Sequence, residues 1–61
     1  MGAELKHWRK RLGWTQQQAA DYLGIPVRTY EAWEREWQTK RPGNPGAVRK
    51  LMQQAVRETV G

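Results

Sequence analysis

Several residue types that catalysis and metal binding commonly use are scarce in this chain of 61 residues. It has no cysteine and no serine, which excludes a disulfide, a thiolate metal site and both of these nucleophiles. The single histidine, His7, has no second histidine with which to bind a metal. The carboxylates stand singly or next to arginines, and no glycine-rich phosphate loop is present. We therefore expect no enzyme, no metal, no cofactor and no small-molecule ligand.

Long hydrophobic runs are absent as well. No apolar stretch approaches the roughly 20 residues that a membrane helix needs, and no signal-peptide segment is present. We therefore expect no membrane partner.

Positive charge and tryptophan are what the chain has in abundance. Eleven lysines and arginines against six acidic residues give a net charge of +5 and a pI near 10.3. The basic residues concentrate in residues 1–14 and 38–61, whereas residues 15–37 are slightly acidic. This balance favours a polyanionic partner, either nucleic acid or an acidic surface. The four tryptophans, each able to bury on the order of 200 Å², help so short a chain to form a core.

Apolar residues recur at helical spacing in the first part of the chain. Leu5, Trp8 and Leu12 form one stripe of a first helix, which the following glycine ends. Thr15 and Gln18 form a capping-box pattern that starts a second helix. The spacing therefore predicts two helices separated by a short turn.

Glycine and proline mark the remaining boundaries. Gly24 suits the left-handed residue that follows a helix, and Pro26 suits the start of the next one. Residues 38–46 are polar and rich in proline and glycine, which predicts a loop. No strand pattern and no internal repeat occurs. We predict one compact all-α domain over residues 1–61, with four helices at about residues 3–12, 16–23, 27–36 and 46–59.

One family shares an ordered set of residues with this chain. The set comprises Arg9, Leu12 to Gln16, Ala20, Leu23 to Ile25, Tyr30, Trp33 and Glu34. Over roughly residues 5–51 the chain resembles the Cro/C1-type (XRE-like) helix-turn-helix regulators of phages and bacteria. The resemblance implies a lambda-repressor-like domain that binds double-stranded DNA sequence-specifically, as an (auto)repressor on a palindromic operator. It also implies a cytoplasmic location, at the bacterial nucleoid or in an infected host cell.

The resemblance places base contacts on the outward face of the third helix. The residues at the matching positions are Val27, Arg28, Glu31 and Ala32. Arg28 is the sharpest candidate, because a guanidinium binds guanine O6 and N7 bidentately, whereas Val27 suits a thymine methyl group. The alternative for Arg28 is a solvated surface arginine.

Phosphate contacts are expected on both sides of that helix. The resemblance puts Thr15 and Gln16 where the N-terminus of the second helix grips a phosphate, although Thr15 also suits a plain N-cap. Arg35, Lys40 and Arg41 lie at or beyond the end of the third helix and suit further phosphates. The alternative for these three is a solvated loop.

Two more positions bear on the resemblance. In the family the positions of Arg9 and Glu34 commonly form an ion pair, and we expect that pair here rather than a DNA contact from Arg9. The family often caps the third helix with a serine or threonine that can touch DNA. This chain has Pro26 there, which has no side-chain acceptor, so that contact is lost.

The apolar stripe of the last helix is longer than a small core needs. Its residues are Val48, Leu51, Met52, Ala55, Val56 and Val60. We expect Ala55, Val56 and Val60 to pack against a second protomer, which would make the protein a homodimer. The alternative is a frayed tail.

A second hypothesis for function is a protein-interaction module. In that case the helix-turn-helix fold would serve as an adaptor or inhibitor without specific DNA binding. The acidic residues Glu31 and Glu36, on or beside the third helix, favour this alternative.

Overall fold

Five helices and no strand make up residues 2–60, the part of the chain that the computed structural model describes. Of Val60 only the backbone is described. The helices are α1 (Gly2–Leu12), α2 (Gln16–Leu23), α3 (Val27–Arg35), α4 (Trp37–Lys40) and α5 (Pro45–Val60). The all-α prediction is confirmed. Each of the four longer helices begins and ends within one residue of its predicted range.

The predicted count of four helices is corrected by α4, a single turn that follows α3. The backbone leaves the helical conformation at Glu36, whose φ is −130° and ψ is 46°. The Glu36 carbonyl oxygen then accepts hydrogen bonds from the N–H groups of Thr39, at 3.0 Å, and Lys40, at 2.8 Å. One turn is too short to carry a periodic apolar pattern, so the sequence does not reveal it.

Local side-chain chemistry explains where α2 begins and ends. Thr15 Oγ1 accepts a hydrogen bond from the Gln18 backbone N–H at 3.1 Å, and Gln18 Oε1 accepts one from the Thr15 N–H at 2.8 Å. This capping box satisfies N–H groups that lack a helical acceptor. Gly24 ends the helix in the left-handed region, at a φ of 72°, where a side chain would be strained.

The starts of α3 and α5 both involve proline. Pro26 precedes α3 in an extended conformation and makes no side-chain cap. Pro45 is the first residue of α5, and the Asn44 side chain caps that helix by accepting from the Ala47 N–H at 3.2 Å. Proline suits the first positions of a helix because its missing N–H would have no acceptor there.

The core lies between α1, α2, α3 and α5. Ala19 and Ala20 are fully buried, and their small side chains let α3 approach α2 closely. The Trp8 indole N–H donates to the Met52 carbonyl oxygen at 2.9 Å, which ties α1 to α5. The buried residues of the core are Leu5, Trp8, Ala19, Ala20, Tyr30, Trp33, Val48, Met52 and Ala55.

Two half-buried tryptophans cover the edges of this core. The Trp14 ring centroid is 5.6 Å from that of Trp8 and 5.3 Å from that of Tyr22. Trp37 packs edge-to-face on Trp33, with 6.1 Å between the ring centroids. Trp37 therefore joins α4 to the end of α3.

Candidate nucleic-acid interface

A turn of three residues joins α2 to α3, as in a helix-turn-helix. Gly24 lets the chain leave α2, and the Ile25 N–H donates back to the Ala20 carbonyl oxygen at 3.0 Å. Pro26 then directs the extended backbone into α3, with a φ of −62°. Because this turn is hydrogen-bonded and Ala19 and Ala20 are buried, α3 is held in a defined orientation across α2.

The solvent side of α3 carries a row of three charged residues. At about 100° per residue, Arg28, Glu31 and Arg35 lie opposite the buried Tyr30 and Trp33. All three are exposed, and we call them the outward row. In a helix-turn-helix the exposed face of the second helix is the one that enters the major groove.

The other two predicted base-reading residues are less accessible. Val27 is half-buried and packs against the core, and Ala32 is also half-buried. Both have short apolar side chains, so contact with a thymine methyl is the base contact available to them. Of the four predicted base-reading residues, Arg28 and Glu31 are therefore the two whose side chains can hydrogen-bond to a base edge.

A recess lies between α1, the N-terminus of α2 and the outer side of α3. We call it the α2 recess, and it is lined by Lys6, Gln16, Glu31, Glu34 and Arg35. The structure thus brings together Gln16 and Arg35, two of the predicted phosphate residues. Lys6 was not among the predicted phosphate residues, although helical spacing puts it on the side of the first helix that faces solvent or phosphate. Its sequence signal was only a basic residue on the solvent side of the first helix, which is common in basic proteins.

The N-terminus of α2 gives partial positive charge to this region, where two basic side chains stand beside two carboxylates. The backbone N–H groups of Gln16 and Gln17 are the first of the helix and have no helical acceptor, and the helix dipole is positive at that end. Thr15 uses its backbone N–H and its hydroxyl oxygen in the capping box. The hydroxyl hydrogen of Thr15 is the donor that remains for a phosphate.

Lys40 and Arg41 lie apart from the α2 recess. Lys40 ends α4 and Arg41 follows it, and both side chains are exposed. Neither lines the recess. They form a second basic position, beyond the C-terminal end of α3.

Behind the recess, Arg9 and Glu34 form an ion pair that is largely shielded from water. Arg9 Nε is 2.8 Å from Glu34 Oε2, and the two side chains are 14% and 8% exposed. Arg9 Nη1 also donates to the Trp14 carbonyl oxygen at 3.1 Å. Gln16 Nε2 donates to Glu34 Oε1 at 3.2 Å. One carboxylate therefore connects α1, the start of α2 and the end of α3.

These contacts shift the ionisation of the residues involved. Burial opposes the charge on Glu34, but the hydrogen bonds from Arg9 and Gln16, together with the nearby Tyr30 hydroxyl, outweigh it and lower the pKa of Glu34. The hydrogen bond to Glu34 raises the pKa of Arg9, and burial raises the pKa of Tyr30 beside the pair. Both members of the pair are consequently charged at neutral pH.

One of the three residues predicted for a dimer interface is unavailable. Ala55 is completely buried within its own chain, because α5 turns it onto the core. The prediction that Ala55 contacts a second protomer is therefore wrong, since helical spacing marks an apolar face without saying what covers it. Val56 is half-buried, with part of its side chain accessible. The side chain of Val60 lies outside the described residues.

Val56 faces a shallow groove between α1 and α5. Glu4 of α1 and Arg49 of α5 approach each other at the groove, with 3.7 Å between their charged atoms. The groove is lined by Glu4, Trp8, Arg49, Met52, Gln53 and Val56. It therefore combines apolar surface with one charge of each sign.

Two other kinds of site were sought in residues 2–60. No group of three or more metal-ligating side chains comes together in this part of the chain. No helix in the same range is long and apolar enough to span a membrane.

Comparison with known proteins gives one match. A family model described as helix-turn-helix matches residues 5–43, well over half of the chain. The matched range contains the turn between α2 and α3, the outward row, the α2 recess and both partners of the buried ion pair. No curated protein and no solved structure matches the chain.

Proposed function

The chain belongs to the Cro/C1-type helix-turn-helix family, and from this we propose that it is a transcriptional repressor that binds a palindromic operator as a homodimer. The family regulates transcription by binding double-stranded DNA. In this proposal α3 enters the major groove and the protein represses its own promoter, at the bacterial nucleoid or in an infected host cell. Repression by occupying DNA requires no catalytic group.

The proposal rests on the adjacency of the outward row to the α2 recess. Arg28 and Glu31 offer hydrogen bonds to base edges. Directly beside them, Lys6, Gln16 and Arg35 offer hydrogen bonds and positive charge to the phosphates that border a groove. A base-reading face flanked by phosphate contacts is the arrangement that fixes a helix in the major groove.

A homodimer is proposed because the reading face of one copy is small. Two side chains that hydrogen-bond to bases specify few base pairs, and a two-fold dimer doubles that number. Two-fold symmetry also predicts half-sites about 10 bp apart, centre to centre. With Ala55 buried, the groove beside Val56 is the surface that we assign to the second copy, since its opposite charges can pair across a two-fold axis.

Selection from a pool of randomised DNA duplexes tests the proposal. We expect the bound fraction to converge on a palindrome, and affinity to fall steeply as salt rises because phosphate contacts release counterions. Arg28→Ala should relax the preference at one base pair in each half-site, at a cost of about 1–3 kcal/mol. As a control, Lys40→Ala should weaken binding to all sequences alike and lower the salt slope by about one unit.

The same experiment examines the second candidate function, a protein-interaction module without specific DNA binding. The exposed Glu31 and Glu36 favour that alternative, because carboxylates oppose an approach to phosphates. Recovery of no consensus, with only salt-sensitive smearing in gel shifts, would refute the operator proposal. A consensus that survives Arg28→Ala unchanged would refute the base-reading role of Arg28.

A further inference from the structure

We propose that Glu31 is a specificity determinant that selects cytosine, next to a guanine bound by Arg28. The half-sites of the operator would then contain G·C base pairs at the centre of the contact. This inference rests on the proposed operator binding through α3 and names the base identities that α3 selects.

The spacing along α3 places the two side chains within reach of neighbouring base pairs. Arg28 and Glu31 are three residues apart, so they are separated by about 4.5 Å along the helix axis. Successive base pairs are about 3.4 Å apart. Both side chains are exposed on the outward row, and no other charged residue lies between them on that row.

The carboxylate of Glu31 takes part in none of the ion pairs of residues 2–60, although it lines the α2 recess together with Lys6 and Arg35. The ion pairs of residues 2–60 join Arg9 to Glu34, Arg35 to Glu36 and Arg49 to Glu4. Arg35 is four residues after Glu31, the spacing at which such side chains pair on a helix. The Arg35 Nε atom lies 3.8 Å from Glu36 Oε2 instead, so the exposed Glu31 carboxylate is accessible to a base.

Hydrogen-bond chemistry decides which base that partner is. A carboxylate only accepts hydrogen bonds. In the major groove guanine presents acceptors at N7 and O6, thymine presents an acceptor at O4, and adenine sets its N6 donor beside the N7 acceptor. Cytosine itself presents only a donor there, the N4 amino group, and Glu and Asp are the side chains that accept from it. Arg28 has the opposite preference, for guanine O6 and N7.

The negative charge gives Glu31 a second effect on specificity. Beside the phosphates it weakens binding to every sequence, and only a correctly placed amino group offsets that penalty. Glu31 therefore discriminates mainly against wrong DNA. Removing its charge should strengthen binding to random DNA while it erases the preference for cytosine.

The test repeats the DNA selection with Glu31→Gln and Glu31→Ala. The wild type should select G·C pairs at two neighbouring positions of each half-site, with the guanine of one bound by Arg28 and the cytosine of the other bound by Glu31. Glu31→Gln should change the selected cytosine to adenine, because an amide pairs bidentately with adenine N6 and N7. Glu31→Ala should leave that position unselected. The matched control is Glu36→Gln, which removes an equal charge just beyond α3 and should leave the consensus unchanged.

A second measurement leaves the protein chain unaltered. N4-methylcytosine keeps its pairing hydrogen but carries a methyl group in place of the major-groove hydrogen. Placed at the selected cytosine, it should weaken wild-type binding by roughly 5- to 150-fold, the range expected for one lost base contact. The Glu31→Ala variant should bind the methylated and unmethylated operators equally.

The possible outcomes separate this inference from the operator proposal. If the wild type selects no consensus, the operator proposal fails and takes this inference with it. If the wild type selects a consensus that is unchanged in Glu31→Gln, the role of Glu31 is refuted while operator binding stands. Equal sensitivity of wild type and Glu31→Ala to the methylated cytosine would also refute it.

Discussion

At the scale of single residues, one carboxylate holds together the parts of the molecule that face the proposed DNA. Glu34 belongs to α3 and accepts hydrogen bonds from Arg9 of α1 and Gln16 of α2. Because both members of the ion pair are largely out of water, removing one leaves the other charge without compensation. The pair therefore stabilises the relative placement of three helices.

Replacing Glu34 by glutamine should consequently destabilise the fold. Glu34→Gln keeps the size of the side chain but leaves the Arg9 guanidinium without its counter-charge, at a cost of about 3 kcal/mol. Chemical denaturation at pH 7 measures this loss. Glu36→Gln is the control, because its pair with Arg35 is 75% and 47% exposed and contributes under about 1 kcal/mol. Equal losses of unfolding free energy in Glu34→Gln and Glu36→Gln would show that burial does not set the contribution of these ion pairs.

The pH dependence of the Glu34 contribution follows from the direction of its pKa shift. The folded-state pKa lies below the ordinary value of 4.5, so the stabilisation is present above that value. It is lost as the pH falls through the folded pKa and the carboxylate gains a proton. The stability of Glu34→Gln should accordingly fall less than that of the wild type between pH 5 and strongly acidic conditions. If the unfolding free energies of the wild type and of Glu34→Gln fall in parallel as the pH is lowered, Glu34 is not the source of the pH dependence.

Single residues were predictable to different degrees. The pairing of Arg9 with Glu34 was expected from the family resemblance, not from the sequence pattern itself. The bond from Gln16 to Glu34 was not foreseen, because it joins residues whose separation in space depends on how α2 packs on α3. The position of Lys6 beside Gln16 and Arg35 escaped prediction for the same reason.

At the scale of the helices, the end of α2 depends on one backbone conformation. Gly24 has a φ of 72°, and an added Cβ would meet no atom within 4 Å. Gly24→Ala should therefore destabilise the protein through conformational strain alone, by about 1–2 kcal/mol. Denaturant titration measures the effect.

Gly46→Ala is the matched control for Gly24→Ala. Gly46 lies in the first turn of α5 without a positive φ, and an added Cβ would make an ordinary contact at 3.4 Å with Asn44 Oδ1. Alanine should stabilise the protein there by about 0.5 kcal/mol, because it restricts the unfolded chain. The two substitutions should thus have opposite signs. Equal signs would show that φ is not what distinguishes the two sites.

Helix boundaries were largely predictable because their causes are local. The capping box of Thr15 and Gln18 and the glycine after α2 act within a few residues of sequence. The short helix α4 was not predicted, because its position depends on a contact in three dimensions. Trp37 packs on Trp33, and that contact depends on the break at Glu36, which no composition rule marks.

At the scale of the whole molecule, the oligomeric state is the property most open to measurement. We expect sedimentation equilibrium at roughly 50 µM to give about twice the chain mass of 7.2 kDa. Val56→Gln should shift the equilibrium towards monomer, because it places an amide in the groove assigned to the second copy. Gln54→Ala, on an exposed part of α5, should leave it unchanged. A wild type that stays monomeric would rule out the dimer in free solution and leave pairing on DNA.

The sequence by itself determined the class of the protein, because helical periodicity, helix caps and the helix-turn-helix pattern are all local signals. Through the family resemblance it also supplied the candidates for DNA contact, on α3, at the start of α2 and beyond the end of α3. Only the tertiary structure decided which candidates are available. It buried Ala55, half-buried Val27 and gathered Lys6, Gln16 and Arg35 around one recess. The exposure of a side chain and its distance from other side chains depend on how distant segments of the chain pack together. A local sequence pattern carries no information about that packing.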